Sequence, residues 1–108
     1  IISGGLNIYP TDLEAVVGAH PEVLDVTVVG IEHEKWGETP LALVVLRDGA
    51  GVTAGALLDW ANARLAKHQR LCRVDLRDAL PRNALGKVLK RELRDEYRRT
   101  PPASGAAA

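Results

Sequence analysis

Residues 81–94 read PRNALGKVLKRELR, which predicts a loop followed at once by an amphipathic helix. A proline and an asparagine open the loop, and Gly86 allows the backbone to bend sharply. From Val88 onward, apolar residues recur at helical spacing, while Lys90 and its basic neighbours fall on the opposite, solvated face. Lys87 is therefore expected at or just before a helix N-terminus, an end that favours anions and disfavours a cation. We expect Lys87 to serve a bound phosphate or carboxylate rather than stability.

Helical patterns account for two further segments. Pro10 suits the first position of a helix that ends near Gly18. Thr53 can cap a second helix that runs to about Lys67. The helix predicted from Val88 to about Arg99 closes the domain.

Three segments are expected as strands: Leu24–Val28, Leu41–Leu46 and, more weakly, Arg73–Leu76. The first alternates apolar and polar residues, whereas the second is continuously apolar, as a central strand usually is. We expect these two to pair antiparallel across a loop at Glu32–Glu38. The predicted fold class is α+β, a small, mainly antiparallel sheet of about three strands covered by helices. It spans residues 1–99, with a flexible tail at 100–108.

Composition excludes several classes of protein. Of the 108 residues, 14 are basic and 14 acidic, so no global field attracts nucleic acid or a membrane surface. The single Cys72 cannot form an internal disulfide, which fits a reducing, cytoplasmic compartment. No apolar run is long enough for a membrane span. The three histidines have no metal-ligand spacing with Cys72, so we assign no metal site.

Three segments resemble motifs of the C-terminal domain of the adenylate-forming enzymes, in the acyl-CoA synthetase version. Residues 81–94 resemble the lysine motif, and SGGLNIYPTDLE at residues 3–14 resembles the glycine-loop motif that opens the same domain. Between them, VVGI at residues 28–31 followed by EHEKWGE at 32–38 is similar to a third motif. All three occur in the family's order and cover most of residues 1–99.

The resemblance implies that Lys87 is the catalytic residue of the first half-reaction. There a carboxylate attacks the α-phosphorus of ATP, giving an acyl-adenylate and pyrophosphate. A long, flexible ammonium offsets the repulsion between the two anions and orients the attack. Taken alone, a loop lysine is usually a solvated surface charge. Within this motif a catalytic role is the better interpretation, with Lys90 as the next candidate.

The resemblance also implies a set of cofactor-contacting residues: Gly4, Gly5, Trp36, Arg70 and Gly86. After domain rotation, the backbone at Gly4 and Gly5 would approach the pantetheine arm of CoA closely, which glycine permits. Trp36 would line the thiol tunnel or contact CoA, and a hydrophobic plug is its alternative role. Arg70 would contact the CoA nucleotide. Residues 67–72 depart from the family's usual pattern, so an exposed helix-end arginine is the alternative.

The chain is thus expected to be one part of a larger ligase and inactive alone. ATP and CoA would be its substrates, and Mg²⁺ would be held mainly by a large N-terminal domain absent from this chain. That domain is the first expected partner. A protein lysine acetyltransferase, which would remove the charge of the motif lysine, is another.

Besides a domain that serves as a substrate for lysine acetylation, two alternatives to the CoA ligase remain open. An adenylation domain that loads a carrier protein is one, although its lysine loop more often reads Pro-Leu-Thr-x-Asn-Gly-Lys. The other is a nucleic-acid-binding module that uses the basic helix. Acidic residues interrupt that helix, no aromatic residues are interleaved for base stacking, and the net charge is zero.

Overall fold

The computed structural model describes residues 1–35 and 37–99. The strands are β1 (Ile2–Ser3), β2 (Leu6–Asn7), β3 (Val23–His33), β4 (Gly37–Leu46) and β5 (Arg73–Leu76). The helices are α1 (Pro10–Gly18), α2 (Ala54–Asn62) and α3 (Lys90–Arg99), with a short 3-10 helix at Lys67–Gln69. The predicted tail at residues 100–108 lies outside the described residues.

Strand β4 is the centre of the sheet. It pairs antiparallel with β3 along one edge, and its other edge is shared by β1 and β5. The β4–β5 pairing is parallel, whereas the others are antiparallel. The α+β fold with a mainly antiparallel sheet is therefore confirmed. The expected number of about three strands was too low, because β1 and β2 have two residues each and carry no alternating pattern.

Two apolar cores cover the two faces of β4. Ala42 and Val44 pack with α1 and α2 on one face. Leu41, Leu43 and Val45 pack with Leu93 of α3 on the other. A strand buried on both faces has no polar alternation. This explains why the continuously apolar run was correctly predicted as a central strand.

Local sequence signals set the starts of the first two helices. Pro10 occupies the first turn of α1, as predicted. Thr53 caps α2, and its side-chain oxygen accepts the N–H of Ala56 at 3.1 Å. The predicted end of α2 near Lys67 was wrong. Asn62 holds Leu71 through two hydrogen bonds, from Nδ2 to the carbonyl at 3.1 Å and from the Leu71 N–H to Oδ1 at 2.9 Å. The chain must turn back after Asn62 to reach these partners.

The β3–β4 hairpin is longer than predicted. Glu32 pairs with Glu38, and His33 pairs with Gly37, so the expected Glu32–Glu38 loop is largely sheet. The residues at this end of the hairpin are polar on the exposed side, so their sequence looks like that of a loop. In the described part of the chain, no helix is both long and apolar enough to cross a bilayer.

Candidate functional site

The lysine loop, residues 81–89, folds back on itself before α3 begins. Its two sides are joined by the N–H of Asn83 to the carbonyl of Lys87 and the N–H of Leu89 to the carbonyl of Pro81, both 2.9 Å. An isolated antiparallel bridge pairs Arg82 with the residue after Lys87. These bonds hold the loop as a narrow hairpin.

The predicted start of α3 at Val88 was wrong, because α3 begins at Lys90. Val88 belongs to the bridge with Arg82, which keeps it out of the helix. Lys87 therefore lies three residues before α3 and not in its first turn. The N–H of Lys87 is not one of the free N–H groups of the helix end, because it donates to Asn83 Oδ1.

Asn83 shapes the tip of the lysine loop. Its Oδ1 accepts the N–H of Leu85 at 2.9 Å and the N–H of Lys87 at 3.0 Å. Gly86 has a φ of 86°, a conformation that strains any residue with a Cβ. The space around a Cβ at Gly86 is open, so the constraint at this glycine is the backbone angle. The loop is thus rigid in its backbone while its side chains face solvent.

The side chains of the two candidate lysines are placed differently. Lys87 is exposed, and within residues 1–35 and 37–99 its Nζ makes no hydrogen bond or ion pair. Lys90 was predicted to be a surface charge, and its side chain is 40% exposed, but it has partners that were not predicted. Its Nζ donates to Glu14 Oε2 at 2.9 Å and to the Val28 carbonyl at 3.2 Å.

The Glu14–Lys90 pair covers the free edge of the sheet at Val28. Strand β3 is the outermost strand on its side. The N–H of Val28 points out from this edge and donates to Glu14 Oε2 at 2.9 Å, while Thr27 Oγ1 donates to the same oxygen at 3.2 Å. Because Lys90 donates to the Val28 carbonyl, the outward N–H and the outward carbonyl of Val28 both have partners. Lys90 thereby joins α3 to α1, which makes it a structural residue.

Gly4 and Gly5 form the two-residue turn between β1 and β2. We call residues 3–7 the glycine loop. The φ angles of Gly4 and Gly5 are 58° and 83°, which a tight hairpin of this kind requires. This hairpin was not predicted. Both glycines are exposed, and a Cβ at either would meet no atom within 4 Å in the described part of the domain.

The two loops are attached at opposite ends of the β3–β4 ribbon. The glycine loop joins the sheet where Ser3 pairs with Gly37, next to His33. The lysine loop contacts β3 at Asp25, through a side-chain bond from Arg82. Asp25 and His33 are eight residues apart on one strand, roughly 26 Å at the usual strand rise. The two loops are therefore anchored at well-separated places along the sheet.

The remaining predicted contact residues are only partly placed. Arg70 follows the 3-10 helix and is exposed, as either interpretation of it requires. Trp36 lies outside the described residues. Among the residues that the structure describes, no cluster of three or more His, Cys, Asp or Glu side chains could hold a metal ion.

Comparison with known proteins assigns the chain to a protein family. A family profile described as the AMP-binding enzyme C-terminal domain matches residues 12–87, more than half of the chain. The chain belongs to this family. The lysine loop as far as Lys87 and most of the sheet fall within the match, while the glycine loop precedes it.

Two relatives of this chain are CoA ligases. A 2-succinylbenzoate–CoA ligase of Geobacillus kaustophilus is 47% identical over 94 residues, which is 87% of this chain and 19% of the relative. Long-chain-fatty-acid–CoA ligase FadD13 of Mycobacterium tuberculosis is 41% identical over 102 residues, 94% of this chain and 20% of the relative. The chain spans about a fifth of the length of these relatives.

The fold also matches solved structures of the family. The crystal structure of ATP-bound MatB from Rhodopseudomonas palustris aligns with a TM-score of 0.85 and 37% identity. The alignment covers 90% of this chain and 19% of that chain.

Within this AMP-binding C-terminal domain, sequence reasoning missed the side chains that position the lysine loop and α3. Arg82 and Asp25 hold the loop, and Glu14 holds Lys90. Each looks like an ordinary surface charge in the sequence. The one usable local signal was Asn83, because asparagine often bonds to backbone N–H groups two residues on.

The C-terminal end of α3 is held by a phenol–carboxylate contact. Tyr97 Oη donates to Asp75 Oδ2, and Arg73 forks onto the same carboxylate from Nε at 2.6 Å and Nη2 at 2.8 Å. Burial, followed by the bond to Asp75, raises the pKa of Tyr97 to about 12. The protonated phenol is therefore the form that stabilises the fold.

Alkaline pH is expected to remove this contribution. Since the pKa of Tyr97 is about 12 in the fold and about 10 when unfolded, stabilisation by the phenol is complete below pH 10 and is lost between pH 10 and 12. Tyr97→Phe should lower the free energy of unfolding by about 1 kcal/mol at pH 8. Denaturation of the wild type and of Tyr97→Phe at pH 8 and at pH 12 should show a smaller difference in the free energy of unfolding at pH 12. Exposed Tyr9, replaced by Phe, is the control. A gap that stays constant would contradict the coupling of the hydroxyl to the fold.

Proposed function

We propose that this chain is the C-terminal domain of an ATP-dependent acyl-CoA ligase, in which the two loops serve successive half-reactions. The supporting comparison is the similarity to CoA ligases over nearly the whole chain. Its limited share of their length supports a large N-terminal domain as the first partner. That partner would hold ATP, Mg²⁺ and the carboxylate, so it would choose which acid is used. The isolated domain would be inactive.

The observation that carries the proposal is the exposed ammonium of Lys87 on a rigid loop. A lysine used for stability would have partners, as Lys90 has. Lys87 instead extends from a backbone fixed by Asn83 and can reach an anion presented by another domain. In adenylate formation, the ammonium would sit between the carboxylate and the α-phosphate. It would stabilise the charge that shifts onto the phosphoryl oxygens as the bond to pyrophosphate breaks. Its exposure also leaves Lys87 open to acetylation, which would remove this charge.

The glycine loop would act in the second half-reaction. Its open, exposed turn lets a thin substrate arm such as pantetheine approach the backbone. Because the attachment points of the two loops are roughly 26 Å apart, a rotation of the domain would be needed to exchange them. Arg70 and Trp36 would contact CoA in that second orientation. A carrier-protein thiol would use the same loop, since it too carries pantetheine.

Replacing Gly5 with alanine tests the role of the glycine loop. In the full-length ligase, we expect thioester formation from supplied acyl-adenylate to fall roughly 10-fold, because a Cβ at φ 83° distorts the turn. ATP–pyrophosphate exchange should stay within about twofold, since it does not use this loop.

Gly49→Ala is the matched control. Gly49 also has a positive φ, 80°, with open space around it, but lies in the β4–α2 connection. The strain at Gly49 should lower stability as much as the strain at Gly5. If Gly49→Ala lowered thioester formation as much as Gly5→Ala does, the glycine loop would have no specific part in that step.

A further inference from the structure

Arg82 joins the base of the lysine loop to its tip. Its Nη1 donates to the carbonyl of Gly86 at 2.6 Å, and its Nη2 donates to Asp25 Oδ2. The carbonyl of Gly86 belongs to the peptide group that bears the N–H of Lys87. Arg82 thus grips one side of this peptide, while Asn83 Oδ1 accepts the N–H on the other side at 3.0 Å.

Asp25 fixes the outer end of the Arg82 side chain to the sheet. Its Oδ1 accepts the N–H of Val26 at 2.9 Å, which orients the carboxylate along β3. Asp25 is paired with Val45 of the central strand, so the anchor belongs to the rigid part of the domain. The guanidinium is planar and always charged, and its fork can hold two acceptors in fixed directions.

The contact between Arg82 and Asp25 is better suited to fixing the geometry of the lysine loop than to stabilising the fold. The side chains of Arg82 and Asp25 are 40% and 32% exposed, and ion pairs this exposed contribute little to stability. The pair links residues 57 positions apart at the point where the Lys87 peptide is held. Small displacements of a group that acts in the transition state cost large factors in rate.

We propose that Arg82, anchored by Asp25, is a positioning residue for Lys87 and that it acts on adenylate formation alone. This inference rests on the proposed function of Lys87. Arg82 sets where the chain of Lys87 begins, and the lysine chain then covers the remaining distance to the substrate. The glycine loop, at the other end of the β3–β4 ribbon, does not depend on it.

The test uses the full-length ligase with Arg82→Gln, Arg82→Lys and Asp25→Asn. We expect Arg82→Gln to lower kcat for ATP–pyrophosphate exchange roughly 10-fold, with KM for ATP within about twofold. Arg82→Lys should recover part of this rate, because an ammonium reaches one acceptor but not both. The double variant Asp25→Asn/Arg82→Gln should lose less than the product of the single losses, as coupled residues do. Thioester formation from supplied acyl-adenylate should stay near wild type.

Arg77→Gln is the matched control. Arg77 also forms a forked surface pair, with Glu96 at 3.2 and 3.3 Å, and it ties α3 to the end of β5 without touching the lysine loop. Both half-reactions should be unchanged in this variant.

The outcomes separate the two proposals. If Lys87→Ala abolishes exchange while Arg82→Gln leaves it near wild type, the positioning role is overturned and the proposed function stands. If Lys87→Ala itself leaves exchange intact, the proposed function fails and this inference fails with it. A loss in Arg82→Gln that affects both half-reactions equally would show a general effect on folding, which also overturns the positioning role.

Discussion

Lys87→Ala is expected to reduce ATP–pyrophosphate exchange by roughly 100-fold or more in the full-length ligase, because one charged donor is lost from the transition state. Thioester formation from supplied acyl-adenylate should remain within about twofold, since that step would use the glycine loop. Stability should not change measurably, because the Lys87 side chain is exposed and makes no hydrogen bond in the described part of the domain. Both half-reactions and thermal denaturation should be measured on the same preparations.

Lys90→Met, three residues after Lys87, is expected to have the opposite effects, a loss of stability with no change in exchange. Removing its bonds to Glu14 and to the Val28 carbonyl should lower the free energy of unfolding by about 2 kcal/mol. Exchange per folded enzyme should be unchanged. Lys87→Arg should show less ATP–pyrophosphate exchange than the wild type, because a guanidinium prefers a fixed bidentate partner and is less adaptable than an ammonium.

The contrary result would also be informative. If Lys90→Met abolished exchange while Lys87→Ala did not, the ammonium at Lys87 would be an ordinary surface charge. The Glu14–Lys90 pair would then have to open for catalysis. Equal losses in both half-reactions for Lys87→Ala would contradict a role limited to adenylate formation.

The parts of the fold that sequence predicted correctly are those controlled by neighbouring residues. Thr53 caps α2 because its hydroxyl reaches an N–H three residues away, and Pro10 starts α1 because its ring fixes φ. The central strand was visible because both faces of β4 are buried, which requires continuous apolar residues. The sharp bend at Gly86 was expected and agrees with its positive φ.

The parts that were missed depend on residues far apart in the chain. Lys90 and Glu14 are separated by 76 positions, and Arg82 and Asp25 by 57, so no periodicity within a helix or strand reveals either pair. The start of α3 was wrong for a related reason. Val88 has a helical pattern, but its bridge to Arg82 satisfies the backbone in another way. Tertiary contacts override local propensity here.

Sequence located the candidate lysine but not the contacts that separate it from Lys90. The pattern placed Lys87 in the loop before the helix and Lys90 on the helix itself, and the resemblance then favoured Lys87 as the catalytic residue. The structure supplies a physical difference, because one ammonium is held at the edge of β3 and the other is exposed. The choice of carboxylic acid has no counterpart in this chain, since the proposed carboxylate site belongs to another domain.

Leu93→Ala is expected to destabilise the domain by about 3 kcal/mol, since the lost burial and the cavity left behind both contribute. Leu93 of α3 is fully buried and packs on the sheet against Leu41, Leu43 and Val45. For a domain of this size, that loss corresponds to a decrease in Tm of roughly 15 °C. Urea denaturation and thermal denaturation of the 108-residue chain would measure both quantities.

Leu85→Ala is the matched control, because it makes the same chemical change eight residues earlier. Leu85 lies at the tip of the lysine loop and is 91% exposed, so its truncation leaves no cavity, and stability should stay within about 0.5 kcal/mol of wild type. The difference between the two variants isolates burial from the chemistry of the substitution. If they were equally stable, α3 would not be docked through Leu93, and the lysine loop would lose the support that α3 gives to its C-terminal end. The role of Lys87 in adenylate formation would then rest on the hairpin bonds of the lysine loop and on its anchor at Arg82, without support from α3.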